Sequence, residues 1–494
     1  MDADVIIIGS GMGGATLAAA LASTGRRILI LERGEHLRPS AKDRDVTAIF
    51  RDGAFRPDEV WLDGSNRPFN PGNYYNVGGN SKFYGAALIR YREADFQPAA
   101  HVGGTTLGWP INYAELEADY QAAEDLYQVR GTAAEDPTEP YHSGRYPHPP
   151  VPDEPDVADL RKRMSQVGLT PSSIPLGLDL SAWLSGGKTT WDAHPNTGRG
   201  KIDAETGGLA VALHHKNVTL RTGCSVEAIE VDDTGHVTGV RLSQGETIAS
   251  RIVVAAAGAV QTSALLLGSA NEDYPAGLAN TSDQVGRNFM NHNCSAVVAL
   301  HPLRKNRSIY QKTLMVNDFY LATDDRPALG NVQMLGKITG AILAANAGLP
   351  HWLANFVAGR SFDFYAMSED LPNPDSRVTL RNGQIKLDWQ RSNWVAHTQL
   401  VKTLKSKLRQ AGFPVMMSKP FDRQTPSHQC GTARMGDDPA KSVVDSYCRS
   451  HDHPNLFIVD ASVLPTSAAV NPALTIAALA LRAGRHITET ELAD

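Results

Sequence analysis

Three glycines and one glutamate near the N-terminus have the types and spacing of a nucleotide-binding motif. Gly9, Gly11 and Gly14 fit the pattern GxGxxG, and Glu32 ends the next apolar run. In such a motif the first glycine permits a tight turn, the second admits a pyrophosphate and the third lets helix and strand pack closely. The glutamate accepts hydrogen bonds from ribose hydroxyls and repels the extra phosphate of NADP. The spacing predicts a site for the ADP half of a dinucleotide, with NAD and FAD both open.

The elements that must position these residues are a strand, a helix and a second strand. Residues 5–8 form an apolar run before the glycines, residues 15–23 are rich in alanine and leucine, and residues 28–31 form another apolar run. This order predicts a βαβ unit whose helix N-terminus faces the pyrophosphate. The full context favours this interpretation over an isolated glycine turn.

Composition narrows the function classes. The chain has 494 residues, of which 42% are hydrophobic and 20% charged, and a formal net charge of -6. These values are typical of a folded globular protein and argue against nucleic acid or anionic lipid as a partner. The four cysteines lie far apart, and neither a secretion signal nor an uninterrupted membrane span is apparent. We expect a cytoplasmic protein with reduced thiols and no transmembrane segment, and the oligomeric state stays open.

Later segments predict two further groups of elements. Three strand-like runs predict an antiparallel meander, namely residues 218–221, 226–231 and 237–242. A buried strand and a helix follow at residues 251–256 and 261–267. Three alternating runs predict a separate lobe with its own sheet, namely residues 295–300, 362–368 and 377–380. An amphipathic helix at residues 396–411 would cover that lobe, and a strand and a helix at 456–459 and 473–485 close the chain.

Several motifs occur in a fixed order along the chain. They are NVGGNS (76–81), GWPI (108–111), VVAAAGA (253–259), GRNFMNH (286–292), HQCGTARMG (428–436), SVVD (442–445) and VDAS (459–462). In this order they resemble the glucose-methanol-choline (GMC) oxidoreductases, flavoenzymes that oxidise alcohols. The resemblance implies an α/β fold with a discontinuous Rossmann-like FAD-binding domain, formed by residues 1–155, 200–294 and 423–494. It also implies an inserted α+β substrate-binding domain built on an antiparallel sheet, formed by residues 156–199 and 295–422.

The resemblance implies FAD as the cofactor. The residues that would bind it are Gly9, Gly11, Gly14, Glu32, Arg33, Gly78, Gly79, Ser81, Val226, Asp460, Ala461, Asn471 and Pro472. Some relatives link the flavin covalently to a histidine in the segment after the glycine pair, where Phe83 stands in this chain. We therefore expect FAD to be bound without a covalent link. Tyr84 replaces the family's usual asparagine, and this favours the sugar-oxidising pyranose oxidase branch, which carries tryptophan there.

Oxidation of an alcohol by hydride transfer requires a hydride acceptor and a base for the hydroxyl proton. The chain has 16 histidines, so residue type alone selects none of them. The resemblance selects His428, with Asn471 as its partner. In this interpretation hydride passes to flavin N5, His428 takes the proton and Asn471 hydrogen-bonds the same oxygen. Asn471 also fits a capping position before a helix that starts near Pro472.

The expected substrate is an alcohol group (CH-OH donor) of a sugar, glycoside or polyol, and the electron acceptor is oxygen or a quinone or other carrier. A lyase similar to hydroxynitrile lyases and a flavoprotein that needs a partner are the alternatives. Trp389 and Trp394 either stack on a sugar ring or pack in the core. The cluster of Cys448, His451 and His453 is not expected to bind a metal. His292 and His194 are expected to be structural.

Overall fold

The computed structural model describes residues 2–185, 192–198, 200–425 and 428–493. The strands of these ranges are β1 (Ala3–Ile8), β2 (Ile28–Leu31), β3 (Trp61–Asp63), β4 (Pro68–Phe69), β5 (Ala99–His101), β6 (Gly104–Thr106), β7 (Val129–Arg130), β8 (Pro171–Ser173), β9 (Leu176–Gly177), β10 (Val218–Arg221), β11 (Val226–Val231), β12 (Val237–Leu242), β13 (Thr247–Ala255), β14 (Asn293–Leu300), β15 (Leu314–Val316), β16 (Asn331–Met334), β17 (Ser361–Ser368), β18 (Arg377–Arg381), β19 (Gln384–Asp388), β20 (Val415–Pro420) and β21 (Leu456–Ile458). The α-helices are α1 (Met12–Ala22), α2 (Val46–Phe50), α3 (Tyr113–Leu126), α4 (Pro155–Gln166), α5 (Leu180–Ser185), α6 (Ala210–Leu213), α7 (Ala259–Gly268), α8 (Gly340–Ala347), α9 (His351–Ala358), α10 (Trp394–Gln410) and α11 (Ala473–Thr490).

A largely parallel sheet carries the N-terminal motif. Its parallel strands run in the order β10-β2-β1-β13-β21. The first part of β13 also pairs with β12 in antiparallel orientation, and β12 pairs with β11 in the same way. The predicted βαβ unit is confirmed, because β1 and β2 pair in parallel with α1 between them. Their continuous apolar runs reflect the burial of parallel strands on both faces. The predicted meander is wrong in one strand, since β10 pairs with β2 at the far edge. A short apolar run does not specify its pairing partner.

The two ends of the chain meet in this sheet. β13 lies between the N-terminal β1 and the C-terminal β21, and α1 packs against α11. Glycines permit this close approach. A Cβ atom at Gly484 would lie 2.6 Å from the Cβ of Ala20, and one at Gly13 would lie 1.8 Å from the carbonyl oxygen of Val459. The fold thus joins the first and last segments in one core.

An antiparallel sheet builds the inserted lobe, with strands in the order β20-β14-β17-β16-β15-β8. Helix α10 packs against β14 and β17, and α4 contributes to the same apolar core. The predicted lobe with its own antiparallel sheet and covering helix is confirmed. β8 brings the segment 156–199 into the same sheet as the segment 295–422, although the domain boundaries themselves stay a prediction.

The run at residues 377–380 is a strand, but it does not join the lobe's sheet as predicted. β18 pairs with β19, β19 pairs in parallel with β3, and β3 pairs with β4. This small sheet packs against α7. Alternation specifies a strand and its buried face, whereas the sheet that the strand joins is determined by contacts distant in sequence, here those between β19 and β3. Within the described ranges, no helix combines the length and apolar character needed to cross a membrane.

Candidate active site

The first glycine turn leaves open space at the N-terminus of α1. Gly9 has a φ of 103°, a left-handed conformation that glycine adopts without strain. A Cβ atom at Gly14 would lie 2.1 Å from the carbonyl oxygen of Gly9, so Gly14 serves close packing. Gly11 directly precedes α1, and a Cβ atom there would have no other atom within 4 Å. Uncovered backbone at a helix N-terminus fits a pyrophosphate.

Glu32 is held by the glycine turn. Its side chain is buried, and its carboxylate accepts hydrogen bonds from the N–H and hydroxyl of Ser10 at 3.0 and 2.6 Å. It also accepts the N–H of Gly34 at 2.9 Å. A carboxylate has about four acceptor positions, so one remains for a ribose hydroxyl. Two other predicted residues lie near Glu32. Arg33 follows it directly and places its guanidinium 3.9 Å from the ring centroid of Tyr75. Val226, the first residue of β11, lies two positions after Cys224, whose backbone N–H donates to the carbonyl of Glu32 at 2.9 Å.

A second glycine turn lies against the first. Gly78 and Gly79 have φ values of 91° and 56°. The N–H of Gly78 donates to the hydroxyl of Ser10 at 3.0 Å, and a Cβ atom at Gly79 would lie 3.5 Å from the Cα of Gly11. The Ser81 hydroxyl donates to the carbonyl of Gly78 at 2.6 Å and so fixes the shape of the turn. The two predicted glycine segments form one continuous wall.

Asp460 and Ala461 follow β21 beside a third glycine turn. The Asp460 carboxylate accepts from the N–H of Gly258 at 2.8 Å and from the hydroxyl of Thr262 at 2.6 Å. It also accepts from the N–H and hydroxyl of Ser462 at 2.8 and 2.5 Å. These four bonds occupy the carboxylate, and the carbonyl oxygens of Asp460 and Ala461 accept backbone N–H groups, so among the described contacts the N–H groups of both residues are left for a ligand. Gly258 adds open space, since a Cβ atom there would have no other atom within 4 Å.

His428 faces His292 across a short antiparallel bridge. Met290 and Cys430 exchange two backbone hydrogen bonds of 3.0 Å each. In an antiparallel pair, the residue two positions after one partner lies opposite the residue two positions before the other, so position 292 faces position 428. The bridge therefore brings the two rings together, with their Nδ1 atoms 2.8 Å apart. His292 was expected to be structural, but its ring contacts the predicted base directly. The sequence signal for its position was the GRNFMNH motif (286–292), which it ends.

Asn471 and Gln333 complete the polar cluster. The Nδ2 of Asn471 lies 3.3 Å from the Nε2 of His428, so the structure brings the predicted pair together. The Oδ1 of Asn471 accepts a hydrogen bond of 2.6 Å from the Nε2 of Gln333. Asn471 and Pro472 directly precede α11, whose N-terminus carries partial positive charge. Gln333 belongs to β16 of the inserted lobe, and no motif in the sequence marked it.

The cluster keeps His428 neutral. Burial, together with His292 and Lys312, holds the pKa of His428 well below its usual range. Burial also lowers the pKa of His292 to about 4, against the opposing effect of its hydrogen bonds to the backbone of Ser467 and Ala468. A neutral imidazole retains a lone pair, as a proton acceptor requires. His428 has a left-handed φ of 66°, a strained conformation found preferentially at functional sites.

The two tryptophans and the histidines of the possible metal cluster make contacts outside the cluster around His428. The indole rings of Trp389 and Trp394 flank the guanidinium of Arg391, with centroid distances of 4.4 and 4.7 Å. His451 and His453 direct ring nitrogens to backbone carbonyl oxygens at 3.1 and 2.8 Å. In the part of the chain that the structure describes, no group of three or more histidines, cysteines or carboxylates is arranged to hold a metal ion.

Comparison with known proteins connects this geometry to a family. Models of the GMC oxidoreductases match residues 184–294 and 372–480, and a model of an NAD(P)-binding Rossmann-like domain matches residues 7–77. The 6'''-hydroxyparomomycin C oxidase of Streptomyces lividus is 30% identical over 99% of this chain and 92% of that protein. The chain belongs to the GMC oxidoreductase family. As a GMC oxidoreductase it is an enzyme of the oxidoreductase class.

Two further comparisons agree with GMC membership. Paromamine 6'-oxidase of Streptomyces fradiae is 31% identical over 98% of this chain and 91% of that protein. The crystal structure of pyridoxine 4-oxidase from Mesorbium loti covers 99% of both chains with a TM-score of 0.69 and 19% identity. The structural likeness shows that this GMC chain shares its fold with that enzyme over nearly its whole length.

Proposed function

We propose that this GMC oxidoreductase oxidises an alcohol group of a sugar, glycoside or polyol, with FAD bound without a covalent link. The observation that carries the proposal is the pair of His428 and Asn471, whose facing nitrogens lie 3.3 Å apart at the start of α11. An alcohol oxygen in contact with both nitrogens would meet a proton acceptor and a hydrogen-bond donor together. Such a pair is what removal of a hydroxyl proton requires.

The three glycine turns fit FAD. Glu32 would bind the adenosine ribose, the backbone at Gly11 would bind the pyrophosphate, and the turn at Gly78 would border the flavin half. When bound, FAD supplies the acceptor for the hydride that leaves the substrate carbon. Phe83 has no nucleophilic atom, and its ring stacks on Tyr74 at a centroid distance of 3.7 Å, which supports a cofactor held only by non-covalent contacts.

In the proposed reaction His428 accepts the hydroxyl proton through Nε2. Asn471 donates Nδ2–H to the same oxygen and so directs the hydroxyl proton towards the imidazole. The low pKa of His428 keeps the imidazole neutral before the substrate binds. The partial positive charge at the N-terminus of α11 stabilises the negative charge that develops on the alcohol oxygen as its proton leaves. Each group thus acts from its position around one oxygen atom.

Polar groups of the inserted lobe support a substrate rich in hydroxyl groups. Gln333 is fully buried next to Asn471. Lys312 is also buried, forms an ion pair with Asp192 at 3.1 Å and affects the pKa of His428. Within the described residues the buried Oε1 of Gln333 has no hydrogen-bond partner, and an apolar substrate would leave it without compensation. Two relatives named as oxidases of 6'''-hydroxyparomomycin C and paromamine support the same substrate class.

Anaerobic mixing of the FAD-loaded enzyme with alcohols tests the proposal. We expect sugars, polyols or paromamine to bleach the flavin absorbance. Replacing His428 by alanine should slow this reduction by about 10²–10⁴-fold, the usual contribution of a general base. His215→Ala, a change at an exposed histidine, is the matched control and should leave the rate unchanged.

Three outcomes would contradict the proposal. A full rate in His428→Ala would show that another group takes the proton. Cleavage of cyanohydrins without flavin bleaching by any alcohol would establish a lyase. Bleaching only after addition of a second protein would establish a flavoprotein that depends on a partner. For the reduced enzyme, reoxidation on admission of air distinguishes oxygen from a quinone or other carrier as electron acceptor.

A further inference from the structure

We propose that His292 is a positioning residue that fixes the proton of His428 on Nδ1 and leaves the lone pair on Nε2, the atom that faces Asn471. The importance of that lone pair rests on the proposed function. The proton positions themselves follow from the contacts of four side chains, namely His292, His428, Asn471 and Gln333.

The chain of hydrogen bonds starts at two backbone carbonyls. The Nε2 of His292 lies 2.8 Å from the carbonyl oxygen of Ser467 and 3.0 Å from that of Ala468. Carbonyl oxygens only accept hydrogen bonds, so this nitrogen carries a proton. Burial keeps the ring of His292 neutral, since its pKa is about 4. Its Nδ1 therefore holds a lone pair.

That lone pair determines the tautomer of His428. The two Nδ1 atoms are 2.8 Å apart, a hydrogen-bond distance that needs one proton between them. His292 has already placed its single ring proton on Nε2, so the shared proton belongs to His428. The ring of His428 is also neutral, because its pKa is well below the usual range. With Nδ1 protonated, its Nε2 is left with the lone pair.

The side-chain amides on the other side of His428 give the same polarity. A lone pair on Nε2 requires a donor, and the Nδ2 of Asn471 stands 3.3 Å away. The Oδ1 of Asn471 then faces Gln333, whose Nε2 donates to it at 2.6 Å. In the opposite tautomer, Nε2–H would oppose the Nδ2–H of Asn471. Only one direction of donation satisfies every contact from Gln333 to the two carbonyls.

The backbone holds this arrangement in place. His428 and Ala468 both have left-handed φ values, 66° and 52°, although neither is a glycine. Such conformations persist only where the surroundings enforce them. One directs the ring of His428 towards His292, and the other lies at a carbonyl that accepts from His292. An imidazole without such a neighbour distributes its proton over both nitrogens, and a catalytic histidine held in the wrong tautomer loses up to about 10⁴-fold in turnover.

Nitrogen NMR of the FAD-loaded enzyme with ¹⁵N-labelled histidine tests the inference without relying on activity. Protonated and unprotonated ring nitrogens differ widely in chemical shift, and couplings to the ring protons distinguish Nδ1 from Nε2. Comparison with His428→Gln assigns the signals of His428. We expect a protonated Nδ1 and an unprotonated Nε2. A protonated Nε2 in the wild-type enzyme would overturn the inference, whatever the kinetics show.

Two variants at position 292 then separate positioning from a general structural role. His292→Leu removes the acceptor, so we expect the His428 signals to shift towards the Nε2–H form and flavin reduction to slow by about 10²–10⁴-fold. His292→Asn offers an amide oxygen to Nδ1–H, and we expect it to retain the Nδ1–H signals and part of the rate. His453→Leu, a change at another fully buried histidine bonded to a carbonyl, is the control and should leave the His428 signals unchanged.

The failures are distinguishable. Unchanged His428 signals in folded His292→Leu would refute the positioning role. The expected signals together with a full reduction rate in His428→Ala would refute the proposed function and leave the tautomer assignment intact. If His292→Leu does not fold, His292→Asn and the wild-type spectrum decide, because loss of the Nδ1–H signals in His292→Asn would also refute the role of an acceptor at this position.

Discussion

Replacing Glu32 by glutamine tests how the first glycine turn is stabilised. The carboxylate receives two hydrogen bonds from Ser10 and one from Gly34, at 3.0, 2.6 and 2.9 Å. Glutamine has one acceptor oxygen and one amide nitrogen. If the oxygen keeps the Ser10 contacts, the nitrogen meets the N–H of Gly34, and two donors then face each other.

The expected loss follows from these contacts. An N–H left without its acceptor costs about 1–3 kcal/mol, and the two bonds to Ser10 change from charge-assisted to neutral, which costs about 1 kcal/mol more. We therefore expect Glu32→Gln to lower the free energy of unfolding by roughly 2–4 kcal/mol even without cofactor. Loss of the carboxylate at the ribose should also weaken FAD binding by about 10–100-fold.

Chemical unfolding of the apoprotein, followed by circular dichroism, measures the first effect, and titration by flavin fluorescence measures the second. Glu35→Gln makes the same chemical change at an exposed glutamate three positions further on and should alter neither quantity. An apoprotein of Glu32→Gln within about 0.5 kcal/mol of wild type, the range of a neutral surface substitution, would refute the account of the turn.

Three further predictions follow from other contacts. Gly11→Ala adds a methyl group to open space, so the apoprotein should keep its stability, whereas FAD should bind about tenfold or more weakly in the same titration. Gly13→Ala should fail to fold, because its Cβ would lie 1.8 Å from a carbonyl oxygen. His428 must be neutral to accept a proton, and its pKa is depressed. The rate of anaerobic flavin reduction should therefore stay constant as the pH falls through the usual histidine range and decrease only below that range. A decrease in rate centred near pH 6.5 would contradict this prediction. Gln333→Met removes the donor to Asn471 and should slow reduction by about tenfold with an unchanged circular dichroism spectrum, whereas an unchanged rate would show that Asn471 is held by other contacts.

The sequence predicted local elements better than their partners. The observed bounds of β10, β11 and β12 equal the predicted ones, because apolar alternation and turn residues are properties of neighbouring positions. The partner of β10 and the sheet that contains β18 were predicted wrongly. The pairing of β10 with β2 and that of β19 with β3 join segments far apart in the sequence, for which a short run of side chains contains no signal.

The candidate site shows the same division. The glycine motif with Glu32 was readable from spacing, whereas His428 and Asn471 were selected only by resemblance to a family. Ser10 was missed because its role depends on a hydroxyl that bridges Glu32 and the second glycine turn. Gln333 was missed because it is one polar residue on an otherwise ordinary strand, and its significance comes from the loop that faces it.

Asn471 links the inserted lobe to the predicted base. Its amide has one acceptor and one donor end, which contact Gln333 of the lobe and His428 of the C-terminal block. A substitution at position 333 therefore changes the orientation of the amide as well as the shape of the lobe. Lobe residues that touch only the substrate would alter KM or the choice of alcohol. Gln333 would alter the chemical step itself, because the donor that aligns the alcohol oxygen is held from the lobe's side. Gln333 lies between the two stretches that the GMC models match, residues 184–294 and 372–480, and it still contributes to the orientation of Asn471 beside His428.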